Sequence, residues 1–408
     1  MIAVPDDALI ATPRRSWFLS LPTVLWLLGL AAAFLLFWSD YQLSLRSGGG
    51  LTINRHALWG RDFVNLWSAG RLEIEGKSAI LYDVRAYQAW QNAQFGPVLD
   101  GHNFSYPPTA LLYAPLFGAL PYVAALALWS LGSVASFTLA ARPWLARVRL
   151  AWWWTLLIPG TLVCLWAGHY GLLFGALWLF AWHRLDDRPV LAGVAIGLML
   201  IKPHLAILIP LVLIRRRAWR ALAVAALTAG ILVAASIFLS GPSPWQIYFR
   251  STAGLQVSLV QHSRDMLSFM MVTPAPLFFA VGIAREVAWV LQSIVALVVV
   301  GMLLWHLPEE RHAAALLTAV ATFLVLPYGF NYDLTIVGVA ALLLFVRAVQ
   351  GNLRSVAWIA AASLALSSLT AYLALAGLRL APFILGALFV AMLREPELLA
   401  NASNEHPV

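Results

Sequence analysis

Apolar runs bounded by short polar or basic clusters recur along almost the whole chain, and two of them, residues 17–38 and 218–239, reach full membrane-crossing length. About 20 consecutive apolar residues cross a hydrocarbon core as helix, and 17–38 holds no charged residue. Further apolar segments fall near 107–120, 122–141, 150–166, 170–183, 189–201, 203–214, 287–306, 313–327, 331–349, 355–376 and 379–393. These thirteen segments would leave the termini on opposite sides, whereas the N-terminus and the polar tail after Arg394 both read as cytoplasmic. One segment before residue 190 is therefore not a full crossing. The pattern predicts an all-α polytopic membrane protein of about 12 transmembrane helices, organised as one membrane domain over 1–408. Segments of 12 to 15 residues are short for a span and predict re-entrant or broken helices, which persist at membrane depth only when packed in protein or lining a cavity. Residues 189–214 are the clearest case.

Two polar stretches interrupt the pattern. The longer, 39–105, carries six acids and six bases, and a long charge-balanced loop set against arginine-rich short loops reads as external. Within it Phe63, Leu66, Trp67, Gly70 and Ile74 recur at helical spacing, which predicts a helix lying at the membrane surface. A second helix is expected over 84–95, stopped by Gly96-Pro97. The other stretch, 241–285, is expected to be a second external loop and contains Trp245, His262, Arg264 and Asp265.

Composition strengthens the membrane assignment: 62% of residues are hydrophobic and 11% charged, against roughly 25% charged in soluble domains. The net charge of +8 comes from clusters at the ends of apolar runs, among them Arg14-Arg15, Arg142 to Arg149, Arg184 to Arg188 and Arg215 to Arg220. They read as cytoplasmic anchors, with the lipid bilayer as partner and no nucleic acid. The single cysteine, Cys164, lies in an apolar run and excludes an intrachain disulfide. The first run lacks a small-residue cleavage site before Ser39-Asp40 and is expected to be retained as an anchor.

A transferase that acts on a hydroxyl needs a general base within reach of the proton. With the tails and the cytoplasmic loops set aside, Asp40, Asp62, Glu73, Glu75, Asp83, Asp100, Asp265, Glu286 and Asp333 remain of the 18 acids. Asp62 stands first because it opens a helix at the membrane boundary, where amides and dipole favour an anion; the alternative is a helix cap. Lys202 lies between the uncharged run Pro189 to Ile201 and Pro203-His204. An ionisable group there suits a lipid phosphate, or else snorkels to the interface. His169, in Gly168-His169-Tyr170-Gly171, either donates to a phosphate or sugar oxygen or is a structural histidine. Asn331-Tyr332-Asp333 places an amide and an acid at a helix start, with capping and dipole compensation as the alternative. Tyr106-Pro107-Pro108 suits a first helical turn and is expected to be structural, with contact between Tyr106 and substrate as the alternative. No phosphate-cradling loop, zinc-protease motif, nucleophile elbow or dinucleotide fingerprint is present, so the donor has to arrive already activated.

Several of these features also occur in a telling order: Arg61-Asp62-Phe63, Gly76, Leu81-Tyr82-Asp83, Tyr106-Pro107-Pro108, Pro115, Leu120-Pro121, Gly168-His169, Ala192-Gly193 through Ile201-Lys202-Pro203, Arg215 to Trp219, and Leu326-Pro327 to Tyr332-Asp333. Over roughly residues 17–350 this order resembles glycosyltransferase family 87, the bacterial polyprenyl-phosphate-mannose-dependent mannosyltransferase type with the GT-C fold. His169 stands where that pattern has glutamine, and Tyr328 to Asn331 where it often has Ser-Pro and histidine. The resemblance implies an inverting single displacement outside the bacterial cytoplasmic membrane, from a polyprenyl-phosphate sugar to a glycolipid or polysaccharide acceptor. It implies Asp62 as general base, Lys202 and His169 at the donor phosphate, and Tyr82, Tyr106, His204, Asn331, Tyr332 and Asp333 around the substrate. Neither a cofactor nor an essential metal is expected. The rival class is a transporter or flippase, which would place ionisable residues at the midplane between related halves.

Overall fold

A computed structural model describes residues 21–54, 57–96, 102–252, 258, 260 and 266–399. Arg14-Arg15, Asp100, the His262, Arg264 and Asp265 group and the tail with Glu405 lie outside the described residues. The described chain is helical apart from a small antiparallel pairing of Thr52–Asn54 with Ala57–Leu58 and an isolated bridge between Met271 and Phe330.

Five described helices are long and apolar enough to cross a membrane: α1 (Leu21–Arg46), α5 (Tyr122–Ala146), α10 (Trp219–Ser240), α11 (Arg285–Trp305) and α14 (Arg354–Leu375). Large apolar side chains point outward along them, including Leu28 and Phe34 on α1, Leu227 and Phe238 on α10, and Val290 and Leu297 on α11. Such a surface calls for lipid as its solvent. Where α1 and α14 meet, small residues let the backbones approach, as is usual between membrane helices. A Cβ on Gly29 would stand 2.7 Å from Ala365 Cα, and Ser368 Oγ donates to the Gly29 carbonyl at 2.7 Å.

The first apolar helix runs further than the hydropathy pattern suggested. It continues through Ser39-Asp40 to Arg46, because Asp40 is buried and its carboxylate is satisfied by Arg61 and Trp166. The apolar segment at 107–120 forms no crossing: it is a 3-10 turn (Pro108–Leu112) followed by α4 (Ala114–Gly118). Prolines at 107, 108 and 115 withhold backbone donors there. α4 packs against α2 (Phe63–Ile74), so closely that a Cβ on Gly70 would meet the Ala114 carbonyl oxygen at 2.0 Å. α3 (Val84–Phe95) follows α2 and is capped by Asp83, which accepts from the amides of Arg85 and Ala86.

Three short helical hairpins pack into the bundle, one of them also presenting exposed Val190, Leu191, Leu211 and Ile214. They are α6 (Pro159–Ala167) with α7 (Gly171–Arg184), α8 (Pro189–Leu198) with α9 (Ile209–Arg215), and α12 (Arg311–Val325) with α13 (Thr335–Gln350). α15 (Ala381–Arg394) follows α14 and packs against it. The open ends of the hairpins share one basic face: Arg311 pairs with Asp186 and Asp187, Arg216 donates to the Pro308 carbonyl, and Arg347 donates to the Arg147 carbonyl. Their tips therefore point the same way, into the protein. Residues 189–201 rise only about 20 Å at 1.5 Å per residue, short of a ~30 Å core. The chain breaks there into 3-10 turns, Met199–Ile201 and Pro203–Ala206, with Lys202 between them. Irregular backbone at that depth is stable where protein covers it, and Met199, Ile201, Lys202 and Leu205 are buried.

Candidate active site

The three tips converge beneath the segment that opens α2. Gly60 and Arg61 both take left-handed backbone, with φ of 81° and 40°, which is strained for the arginine. Side-chain contacts hold it there. Arg61 donates to both Asp40 oxygens at 2.6 and 3.1 Å, Trp166 Nε1 donates to Asp40 at 2.8 Å, and the Arg61 guanidinium lies 4.1 Å from the centre of the Trp166 ring. The Asp62 amide then donates to the Ala167 carbonyl at 3.0 Å, and Gly168 lies so close that a Cβ would stand 2.1 Å from the Gly60 oxygen. These contacts fix the position of Asp62 against the α6–α7 tip.

The Asp62 carboxylate makes no capping bond to α2, so the cap alternative does not describe it. Its side chain is 27% exposed and stands 4.0 Å from His169 Nε2. Removal from bulk water raises its pKa above the ordinary value, opposed by the positive charges of His102, Lys202 and Arg61.

From His169 a chain of buried contacts runs inward. Lys202 Nζ donates to Asp333 Oδ1 at 2.6 Å and Oδ2 at 2.9 Å and lies 3.2 Å from His169 Nδ1. Lys202 is only 5% exposed, so it does not snorkel. The Tyr332 ring stacks on His169 with centroids 4.2 Å apart, and Lys202 Nζ is 5.3 Å from the Tyr332 ring centre. On the other side His169 Nε2 lies 2.8 Å from the Tyr106 hydroxyl. Tyr82 stands one step back, its hydroxyl donating to the Tyr106 carbonyl at 2.9 Å.

The fold thus brings Asp62, Tyr106, His169, Lys202, Tyr332 and Asp333 together, with Tyr82 behind them. Two other sequence candidates point elsewhere. Asn331 donates through Nδ2 to the Ser367 carbonyl at 2.7 Å and ties the α12–α13 tip to α14. His204 packs against Tyr328 at 5.1 Å. Sequence reasoning missed Trp166 and the joint role of Asp40 and Arg61; a charge at the end of an apolar run, 21 residues before an arginine, was the available signal. It also missed Tyr170, whose ring lies 4.5 Å from that of Tyr106. Among the described residues no group of three His, Cys, Asp or Glu side chains is placed to hold a metal ion.

A buried cluster of this kind, roofed by one accessible carboxylate, suits transfer chemistry at a membrane. Residues 104–327 match the profile of glycosyltransferase family 87, more than half of the 408 residues. The chain belongs to glycosyltransferase family 87. It is a membrane glycosyltransferase, which takes a sugar from a donor to an acceptor. The family 87 match contains Tyr106, His169 and Lys202, while Asp62 precedes it and Asp333 follows it. Neither curated proteins nor solved structures give a match.

Proposed function

We propose that this family 87 glycosyltransferase moves a sugar, mannose in the first instance, from a polyprenyl-phosphate donor to a hydroxyl of an envelope glycolipid or polysaccharide. The reaction is an inverting single displacement on the outer side of a bacterial cytoplasmic membrane. The observation that carries it is the uncapped, partly open Asp62 carboxylate 4.0 Å from His169, which contacts a buried lysine at a break in membrane-embedded helices.

The acceptor hydroxyl oxygen bonds to the anomeric carbon as its proton passes to Asp62, while the bond from that carbon to the phosphate oxygen breaks and the lipid phosphate leaves with the electron pair. Lys202 stabilises the charge growing on that oxygen, an interaction strengthened where water is excluded. Asp333, which accepts from Lys202 through both oxygens, orients the lysine. Tyr106 and Tyr332 border the sugar, and Tyr82 supports Tyr106. No covalent intermediate is required.

The test is reconstitution of purified protein with a short-chain polyprenyl-phosphate-mannose and a glycolipid acceptor pool, measuring release of lipid phosphate by wild type, Asp62→Asn and Lys202→Ala. Wild-type release that collapses in both variants is expected. Undiminished release by Asp62→Asn would move the base elsewhere. Solute or lipid movement across the vesicle, without release from polyprenyl-phosphate mannose, glucose or arabinofuranose, would overturn the proposed reaction.

A further inference from the structure

His169 sits between two groups that fix its proton. Lys202 Nζ is 3.2 Å from His169 Nδ1, and a lysine ammonium carries three donors and no acceptor. Asp333, with both oxygens on that nitrogen at 2.6 and 2.9 Å, accepts two of those hydrogens and leaves the third for Nδ1. Nδ1 must therefore accept, because a proton there would point at another donor, and the nearest carboxylate oxygen, Asp333 Oδ1 at 3.7 Å, lies beyond hydrogen-bond reach. An imidazolium is excluded on the same ground, and the ring is the neutral tautomer with its hydrogen on Nε2.

That assignment determines the next bond. Nε2 lies 2.8 Å from the Tyr106 hydroxyl, so His169 donates and the Tyr106 oxygen accepts. The hydroxyl proton of Tyr106 cannot also point at His169 and is left to donate in another direction. The Asp62 carboxylate is close by, with Oδ2 4.0 Å from the same Nε2. The Tyr106 backbone is fixed from behind by Tyr82, and its ring packs on Tyr170, so the hydroxyl rotor is the remaining freedom at this point.

We infer that His169 is a positioning residue: Lys202 holds it in one tautomer, and it turns the Tyr106 hydroxyl proton toward a substrate oxygen beside Asp62. Direction runs one way, from Lys202 through His169 to Tyr106 and on to the sugar. His169 carries no proton in the reaction, and Tyr106 becomes the group that tells a hydroxyl-bearing sugar carbon from one that lacks the hydroxyl. The inference rests on the proposed transfer at the same site.

Glutamine offers the same polarity, an amide oxygen for Lys202 and an NH2 group for Tyr106, whereas leucine offers neither. The experiment compares His169→Gln, His169→Leu, Tyr106→Phe and the Leu/Phe double variant in kcat, KM and pH profile. His169→Leu and Tyr106→Phe are each expected to lower kcat about 10- to 100-fold, as small misplacements at a reacting centre do. The double variant should lose no more than the worse single one. His169→Gln should recover most of the leucine loss and keep the shape of the wild-type pH profile. A glutamine variant as slow as leucine, independent losses in the double variant, or a limb of the pH profile that vanishes with His169→Gln would overturn the inference.

A second readout is independent of turnover. Nitrogen NMR of protein labelled in its histidine rings, in bilayers, should show that the signals lost in His169→Gln belong to a neutral ring protonated at Nε2. Protonation at Nδ1 refutes the tautomer whatever the activity. If wild type uses no polyprenyl-phosphate sugar, the proposed reaction fails while the spectrum still decides the tautomer.

Discussion

Lys202 and Asp333, 131 residues apart in the chain, meet with 2.6 Å between Nζ and Oδ1, and both are almost fully buried. The pair joins the tip of the α8–α9 hairpin to that of α12–α13, and the shared partner His169 brings in the α6–α7 tip. Three breaks in membrane helices, each costly in lipid, thus compensate one another at a single place.

Removing one member leaves a buried charge without a partner, which costs about 3–5 kcal/mol, whereas replacing both by apolar groups of similar volume is often nearly neutral. Lys202→Met and Asp333→Leu should each lower the thermal unfolding midpoint in detergent, and the double variant should recover most of the loss while remaining inactive. Additive losses would show that the pair is not what holds the tips together.

Asp62 behaves differently because its carboxylate makes no capping bond to α2 and stands 4.0 Å from His169. Asp62→Asn should leave expression intact and lower turnover by roughly 10²–10⁴, the usual worth of a general base. The pKa of Asp62 is raised, chiefly by burial. A base works ionised, so activity should rise with pH through a value above the ordinary carboxylate range and be lost below it. For stability the sign is opposite: a raised folded value favours the protonated form, so the contribution is full at low pH and lost as pH rises through that value. At neutral pH Asp62→Asn should therefore melt no lower than wild type, and a melt clearly below it would mean that the carboxylate is structural.

Gly168 tests the seating of the Asp62 segment. Its φ is +62°, and an added Cβ would stand 2.1 Å from the Gly60 oxygen and 2.9 Å from Phe63 Cβ. Gly168→Ala must move backbone on one side or the other, beyond the roughly 1–2 kcal/mol of left-handed strain. The expected outcome is a lower unfolding midpoint together with at least a tenfold fall in kcat. Gly230→Ala in α10 is the control: nothing stands within 4 Å of the added carbon, and relief of a mid-helix glycine stabilises by about 0.5–1 kcal/mol.

Much of this was legible in the sequence, and the limits have physical causes. Long apolar runs gave α1, α5, α10, α11 and α14 because lipid demands that length of apolar surface. The brevity of 189–214, with a lysine and a proline at its centre, marked a broken helix and pointed to Lys202. Hydropathy failed at Asp40, which stays helical because partners far along the chain neutralise it, and at 107–120, where proline spacing outweighs apolarity. Neither the Lys202–Asp333 pair nor the Arg61 strain is a local property, so periodicity carried no trace of them.

The opposite end of the hairpins supplies a last test, remote from Asp62. Glu310 caps α12, accepting from the Ala313 amide at 2.7 Å, bonds to His312, and lies 3.6 Å from Arg147. Burial works against its charge, but the bonds from His312 and the Ala313 amide and the nearby Arg147 charge outweigh burial and bring its pKa down to about 2, from an ordinary 4.5. A depressed folded value means stability that is present above pH 4.5 and lost as pH falls toward about 2. Glu310→Gln keeps an oxygen for the Ala313 amide but has no proton to lose. Its unfolding midpoint should sit below wild type at neutral pH, and the gap should close progressively across that window. Because the Arg147 guanidinium also reaches the Leu399 carbonyl, the same substitution should loosen the segment after α15, seen as faster amide exchange there. A gap that stays constant down to pH 2 would assign the effect to lost cap geometry, and the carboxylate charge would then have no part in closing the basic face.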